Sequence, residues 1–166
     1  MPRPPELAPA GSAVLLVAVL LLAGGCLDPA GRRPGFRLTG EEAQPAGGDL
    51  RFARDVELFA LETRTWYRIP HSVTVTGVLH GDSLYIPSRS PRTKRWVAHV
   101  LRDPRVRLRV GDRILRGRLV RVEDPHFARQ LEAAFARKYG RPIRPVQGGL
   151  APEVWFFRFA PELRRP

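Results

Sequence analysis

The sequence predicts a mainly β domain, a small closed barrel of six strands with two short helices across its ends. Three observations carry this. Apolar residues alternate along short runs bounded by turn residues, two interludes carry apolar residues at helical spacing, and residues 49–166 are long enough for one core but too short for two. No internal repeat interrupts the order strand, hairpin, helix, hairpin, helix, strand.

The first strand is predicted over Asp55 to Thr63, where Val56, Leu58, Phe59, Ala60 and Leu61 give a partly alternating run. A connection, Arg64 to Pro70, carries Trp66 and Tyr67. Ser72 to Leu79 alternates in Val73, Val75, Gly77 and Leu79; His80-Gly81-Asp82 is a tight turn, and Ser83 to Pro87 returns with Leu84 and Ile86. These two runs are expected to pair as a hairpin. In Thr93 to Arg102, Trp96, Val97, Val100 and Leu101 recur at helical spacing, with Thr93 as N-cap and Asp103-Pro104 as stop. Val106, Leu108 and Val110 alternate with Arg105, Arg107 and Arg109, and Gly111-Asp112 turns the chain into Arg113 to Glu123. Asp124 caps a second helix, Pro125 takes its first position, Phe127, Leu131, Ala134, Phe135 and Tyr139 share one side, and Gly140 ends it. A last strand runs over Glu153 to Phe159.

Ahead of this domain, Ala13 to Leu22 is an apolar run too short for a membrane-spanning helix, which needs about 20 residues. It is followed by Ala23-Gly24-Gly25-Cys26, small residues before the only cysteine of the chain. This resembles the lipobox of bacterial lipoprotein precursors, with Ala23 where that family usually has Leu. The resemblance implies a signal peptide over residues 1–25, lipidation of Cys26, attachment to the membrane through that lipid, and a place in the cell envelope. The alternative is an uncleaved anchor with an ordinary thiol. Residues 26–48 are rich in Pro, Gly, Ala and Arg and read as a flexible tether.

With no cysteine after Cys26, neither a disulfide framework nor a thiolate metal site fits the domain. His71, His80, His99 and His126 lack ligand spacing, so no metal is expected. No Gly-x-Ser-x-Gly elbow, phosphate-binding P-loop or dinucleotide glycine fingerprint occurs. The net charge is +12, almost all of it arginine, with Lys94 and Lys138 the only lysines. Such a surface suits anionic lipid headgroups or a phosphorylated cofactor; for an exported protein nucleic acid is not expected.

The passage Lys94-Arg95-Trp96-Val97-Ala98-His99-Val100-Leu101-Arg102-Asp103-Pro104-Arg105-Val106 and the alternating strand after it resemble the FMN-binding split-barrel family. That family includes pyridoxamine phosphate oxidase-like proteins and deazaflavin-dependent reductases, and the likeness spans about Val56 to Phe159. It implies a six-stranded split barrel, FMN or a deazaflavin bound where the third strand meets the first helix, and a homodimer with the cofactor at its interface. Ser88 to Arg95 independently gathers hydroxyls and four cations ahead of a helix, the residue types a phosphate needs. Ser88, Arg92, Thr93 and Lys94 match the family's serine, arginine and lysine there; Arg89 and Arg95 are further candidates. Trp66 and Tyr67 could stack on the cofactor ring with Arg68 at its polar edge, or belong to the core; Tyr85, His80 and Trp155 are expected to be structural. The functional expectation is a lipid-anchored oxidoreductase reducing a small organic acceptor such as a quinone or nitro compound. The alternative is a non-catalytic envelope lipoprotein that binds a small ligand, haem or a protein partner.

Overall fold

The computed structural model describes residue 29 and residues 34–143 and 153–163. The apolar run, Cys26 and the start of the tether lie outside them, so the lipid-anchor expectation is not addressed by the fold. The described chain forms β1 Glu41–Ala43, β2 Leu58–Arg64, β3 Pro70–Thr76, β4 Val78–His80, β5 Ser83–Arg89, α1 Arg95–Arg102, β6 Arg105–Val110, β7 Arg113–Arg121, α2 Pro125–Tyr139 and β8 Val154–Pro161. No helix among the described residues is long and apolar enough to cross a membrane.

All the strands join one sheet in the order β3-β2-β6-β7-β8-β5-β4, antiparallel throughout, with β1 added in parallel to β7. The two ends of that path, β3 and β4, are successive stretches of one run separated only by Gly77. The sheet therefore curls until it meets itself, and the barrel wall splits where β3 leaves β2's side and β4 joins β5.

Gly77 is required at this changeover. A Cβ there would stand 2.9 Å from Phe59 Cε2 and 3.2 Å from Leu84 Cδ1, inside the packed core. The Gly77 carbonyl accepts from Lys138 Nζ at 2.9 Å, and the Tyr139 hydroxyl lies 2.9 Å from the same oxygen. The end of α2 thus covers peptide groups that the interrupted ladder leaves free. Burial pushes the Lys138 ammonium below its ordinary range.

The described residues form eight strands where six were expected. One extra arises because Gly77 divides the run expected as Ser72 to Leu79; only Val78–His80 forms the hairpin with β5, while β3 pairs with β2. The other is β1, in a segment read as tether. Its ties are mostly polar, which is why composition concealed it. Leu38 is buried, its N–H donates to Glu62 Oε2 at 2.6 Å, and Glu42 accepts from Arg116 at 2.9 Å. Segment 35–43, ahead of Asp49, is thus bonded to the sheet, and Gly35 forms an antiparallel bridge with Ser72.

Strand alternation sorts the core. Leu84 and Ile86 of β5 and Phe157 and Phe159 of β8 point into the barrel with Phe59, Leu61, Leu108 and Leu115, and α1 contributes Trp96, Val97 and Val100. Tyr85 and Phe156 point the other way, onto Leu131, Ala134 and Phe135 of α2. Strands β5 and β8 are buried on both faces over much of their length, so β8 opens with a continuous apolar run, Val154 to Phe157, before the exposed Arg158, instead of alternating from the start. The cap of α2 is as expected, with Asp124 accepting from the His126 N–H at 2.8 Å. The cap of α1 differs: Lys94 holds the N-cap position without a side-chain bond, and the Thr93 hydroxyl donates to the Ser90 carbonyl at 2.9 Å.

Candidate functional site

The split in the wall opens a cleft of about 960 Å³ between β3 and β5. Val73 to Thr76 form one side and Pro87 to Arg89 the other; Lys94 and Trp96 stand at the head of α1, and Phe135 and Arg141 to Ile143 close the far end. Strands open here because β5 pairs with β4 only as far as Tyr85, leaving its second half without a neighbour on that edge. On β3, Ser72 exchanges backbone bonds with Gly35 across the same edge. Peptide groups two and four residues further on, at Thr74 and Thr76, face the same side and offer donors and acceptors to a ligand.

Three cations line the cleft, Arg89, Lys94 and Arg141, and no carboxylate does so among the described residues. Ser88 of β5 is among the lining residues as well. It is 3 % exposed, and its hydroxyl has no hydrogen-bond partner among the described residues. A buried polar atom left unmatched costs the fold about 1–3 kcal/mol. Here it faces a cationic cleft, where an anionic oxygen could accept from it. An unmatched hydroxyl, nearby cations and open strand edges fit the phosphate and polar ring edge of a flavin-type cofactor.

The sequence-predicted residues divide. Ser88, Lys94 and Arg89 line the cleft. Arg92 does not: it turns back, with Nε donating to Glu153 Oε2 at 3.0 Å and its guanidinium 5.4 Å from the Trp155 ring. Thr93 is spent on the Ser90 carbonyl, and Arg95 is an exposed residue of α1. Trp66 and Tyr67 stand 77 % and 54 % exposed in the β2–β3 loop, edge to face at 5.1 Å, in neither the cleft nor the core. Arg68, between them and Ile69, holds a left-handed backbone at φ 65. Tyr85 and Trp155 are buried, and Arg121 stacks on the Trp155 ring at 3.6 Å.

Arg141, Thr74 and Thr76 escaped sequence reasoning, because only the tertiary fold brings β3 and the end of α2 to one cleft. A histidine pair escaped it too. His71 and His99 sit ring to ring at 5.3 Å, and the Thr63 hydroxyl is 3.0 Å from His99 Nδ1 while donating to the His71 carbonyl at 3.2 Å. Burial, then the Arg95 charge, depresses the His71 pKa; burial, then His71 and the neighbouring arginines, depresses that of His99.

No protein-family model matches the chain, and no curated protein does. Solved structures do match. A candidate pyridoxamine 5'-phosphate oxidase from Listeria innocua superposes with a TM-score of 0.52 at 19 % identity, covering 69 % of this chain and 90 % of that one. An F420 reductase gives 0.52 at 17 % identity, with 72 % and 96 % covered. A candidate 5-nitroimidazole antibiotic resistance protein from Bacteroides thetaiotaomicron gives 0.52 at 11 % identity, with 81 % and 90 % covered. At these identities the likeness is one of fold, and the fold of this chain is the split barrel.

Proposed function

We propose that this protein is a lipid-anchored envelope oxidoreductase that binds FMN or a deazaflavin in the cleft between β3 and β5 and reduces a small organic acceptor such as a quinone or nitro compound. The observation that carries the reading is the buried, unmatched Ser88 hydroxyl among Arg89, Lys94 and Arg141 in a cleft without carboxylates. The fold supports it, since the solved structures that share it include proteins described as an F420 reductase and a candidate pyridoxamine 5'-phosphate oxidase.

In this reading Lys94, Arg89 and Arg141 hold the phosphate, Ser88 donates to it, and the open edge of β3 meets the polar rim of the ring. Trp96, nearly buried at the cleft wall, keeps one side dry. The cofactor when bound supplies hydride transfer. The chain's part is binding and orientation, and the cleft lining accordingly needs no acid–base pair.

Thermal unfolding of the full chain with and without FMN, a deazaflavin and haem tests this, because a ligand that binds only the folded state raises apparent stability. A rise with FMN or the deazaflavin that is lost in Arg89→Ala plus Lys94→Ala supports it and identifies the cofactor. No rise with either overturns it and leaves a lipoprotein that binds another ligand on the same fold.

A further inference from the structure

The largest exposed aromatic group among the described residues lies outside the cleft and has no role in the reading above. Trp66, Tyr67 and Ile69 project from the loop between β2 and β3. The loop is held in one shape: the Thr65 N–H and hydroxyl both donate to the Ile69 carbonyl, at 3.1 and 2.8 Å, and the Arg68 N–H donates to the Thr65 carbonyl at 3.0 Å. Two further exposed apolar residues come to the same end of the barrel. Leu101 arrives with the last turn of α1, which is tied to the loop by Arg102 Nη2 donating to the Arg64 carbonyl at 2.8 Å. Phe36 arrives through the antiparallel Gly35–Ser72 bridge, which carries it toward His71 and Pro70.

The exposed charges beside this group are mainly cationic: Arg64, Arg68 and Arg102 flank it, and Asp103, the residue after Arg102, is paired with Arg105 at 2.9 Å. Exposed tryptophan and tyrosine ringed by arginine suit the boundary of an anionic bilayer, where amphipathic rings sit at headgroup depth and cations meet lipid phosphates. The chain's own connectivity points the same way. Gly35 follows Cys26 by nine positions, a reach of about 30 Å at full extension, and it enters the domain at this end.

We propose that the face bearing Phe36, Trp66, Tyr67, Ile69 and Leu101 lies on an anionic lipid surface, with Arg64, Arg68 and Arg102 against the headgroups. The connectivity argument rests on the proposed lipid anchor; the loop and its arginines do not.

Trp66 is its own reporter, since Trp96 and Trp155 are buried. The full chain is reconstituted with phosphatidylcholine vesicles, with and without about one-third phosphatidylglycerol, and its fluorescence is quenched either by lipids brominated in the acyl chain or by acrylamide in the water. On the anionic vesicles we expect bromolipid quenching and a several-fold loss of acrylamide quenching, both absent in Trp66→Phe and reduced in the combined Arg64→Gln, Arg68→Gln and Arg102→Gln variant. A chain that floats with vesicles while Trp66 stays open to acrylamide overturns the docking and leaves the anchor standing. Bromolipid quenching that persists in Cys26→Ser supports the docking without the anchor. Acrylamide protection that grows with protein concentration in the absence of lipid overturns the proposal in favour of a second copy of the chain.

Discussion

Glu62 and Arg107 stand directly opposite each other on β2 and β6, with Arg107 Nη1 2.6 Å from Glu62 Oε2. Their side chains are only 11 % and 15 % exposed, and the same carboxylate accepts the Leu38 N–H. A pair this enclosed is best understood by what its loss leaves behind. Glu62→Ala leaves the Leu38 N–H without its acceptor and Arg107 with only its longer bonds to Glu42 and the Leu38 carbonyl, both at 3.2 Å, for which about 3 kcal/mol of destabilisation is expected. Hydrogen exchange should show protection lost at Leu38 and through residues 35–43, with the barrel strands less affected; uniform loss across the sheet would refute this local role.

The cleft predicts opposite effects of one substitution on stability and binding. Ser88→Ala removes an unmatched buried hydroxyl, so the unliganded protein should gain about 1 kcal/mol, while a phosphorylated ligand loses a donor. Lys94→Ala should weaken FMN or deazaflavin binding about tenfold to a hundredfold, the size of a charge-assisted bond of about 1.5–3 kcal/mol. Arg92→Ala, whose side chain is committed to Glu153, should leave binding near that of the wild type. Titration of the three variants by fluorescence or calorimetry checks all of this.

Gly117 faces β8 so closely that a Cβ would lie 2.5 Å from the Ala160 carbonyl oxygen and 2.6 Å from Phe159. Backbone cannot step aside as a flexible side chain would. Gly117→Ala should cost about 3 kcal/mol, the upper part of the range for overpacking. The check is a lower urea midpoint with an unchanged slope.

The histidine pair makes stability depend on pH. Both folded pKa values lie below the ordinary 6.5, so in mildly acidic solution the unfolded chain binds protons that the folded one resists. Stability from this source is complete above about pH 6.5 and falls as pH drops below it toward the folded values. Thermal midpoints measured between pH 7.5 and 5.5 should decline, and the decline should shrink in His71→Gln plus His99→Gln. An equal decline in that variant would assign it to other groups.

A second copy completing the cleft, as the family resemblance implies, predicts a dimer in sedimentation at micromolar concentration. Monomer alone would remove the partner from the cofactor site.

What the sequence made legible was local. The β6–β7 hairpin is written in alternation around Gly111-Asp112, and α2 in Asp124, Pro125 and Gly140, signals that need no distant neighbour. Segment 35–43 was not legible because it is fastened by Glu62, Glu42, Arg107 and Arg116 rather than by an apolar face. Arg92 and Lys94, two residues apart in one basic run, were indistinguishable by type; a carboxylate at Glu153, far along the chain, separates them. The exposed Trp66 and Tyr67 were the hardest to place, since aromatic rings beside a strand ordinarily pack inward.

The place of β8 has a consequence for how the molecule is assembled. The last of the described strands is not at a rim but in the middle of the sheet, between β7 and β5. Until residues 154–161 arrive, β4 and β5 have no ladder linking them to the rest of the wall, and the inward rings of Phe157 and Phe159 are missing from the core. β8 is thus the closing stave of the barrel: a chain emerging N-terminus first must hold an open, greasy half-cylinder until its final strand slots in. Loss of that strand would leave two separated pieces of sheet and no cleft.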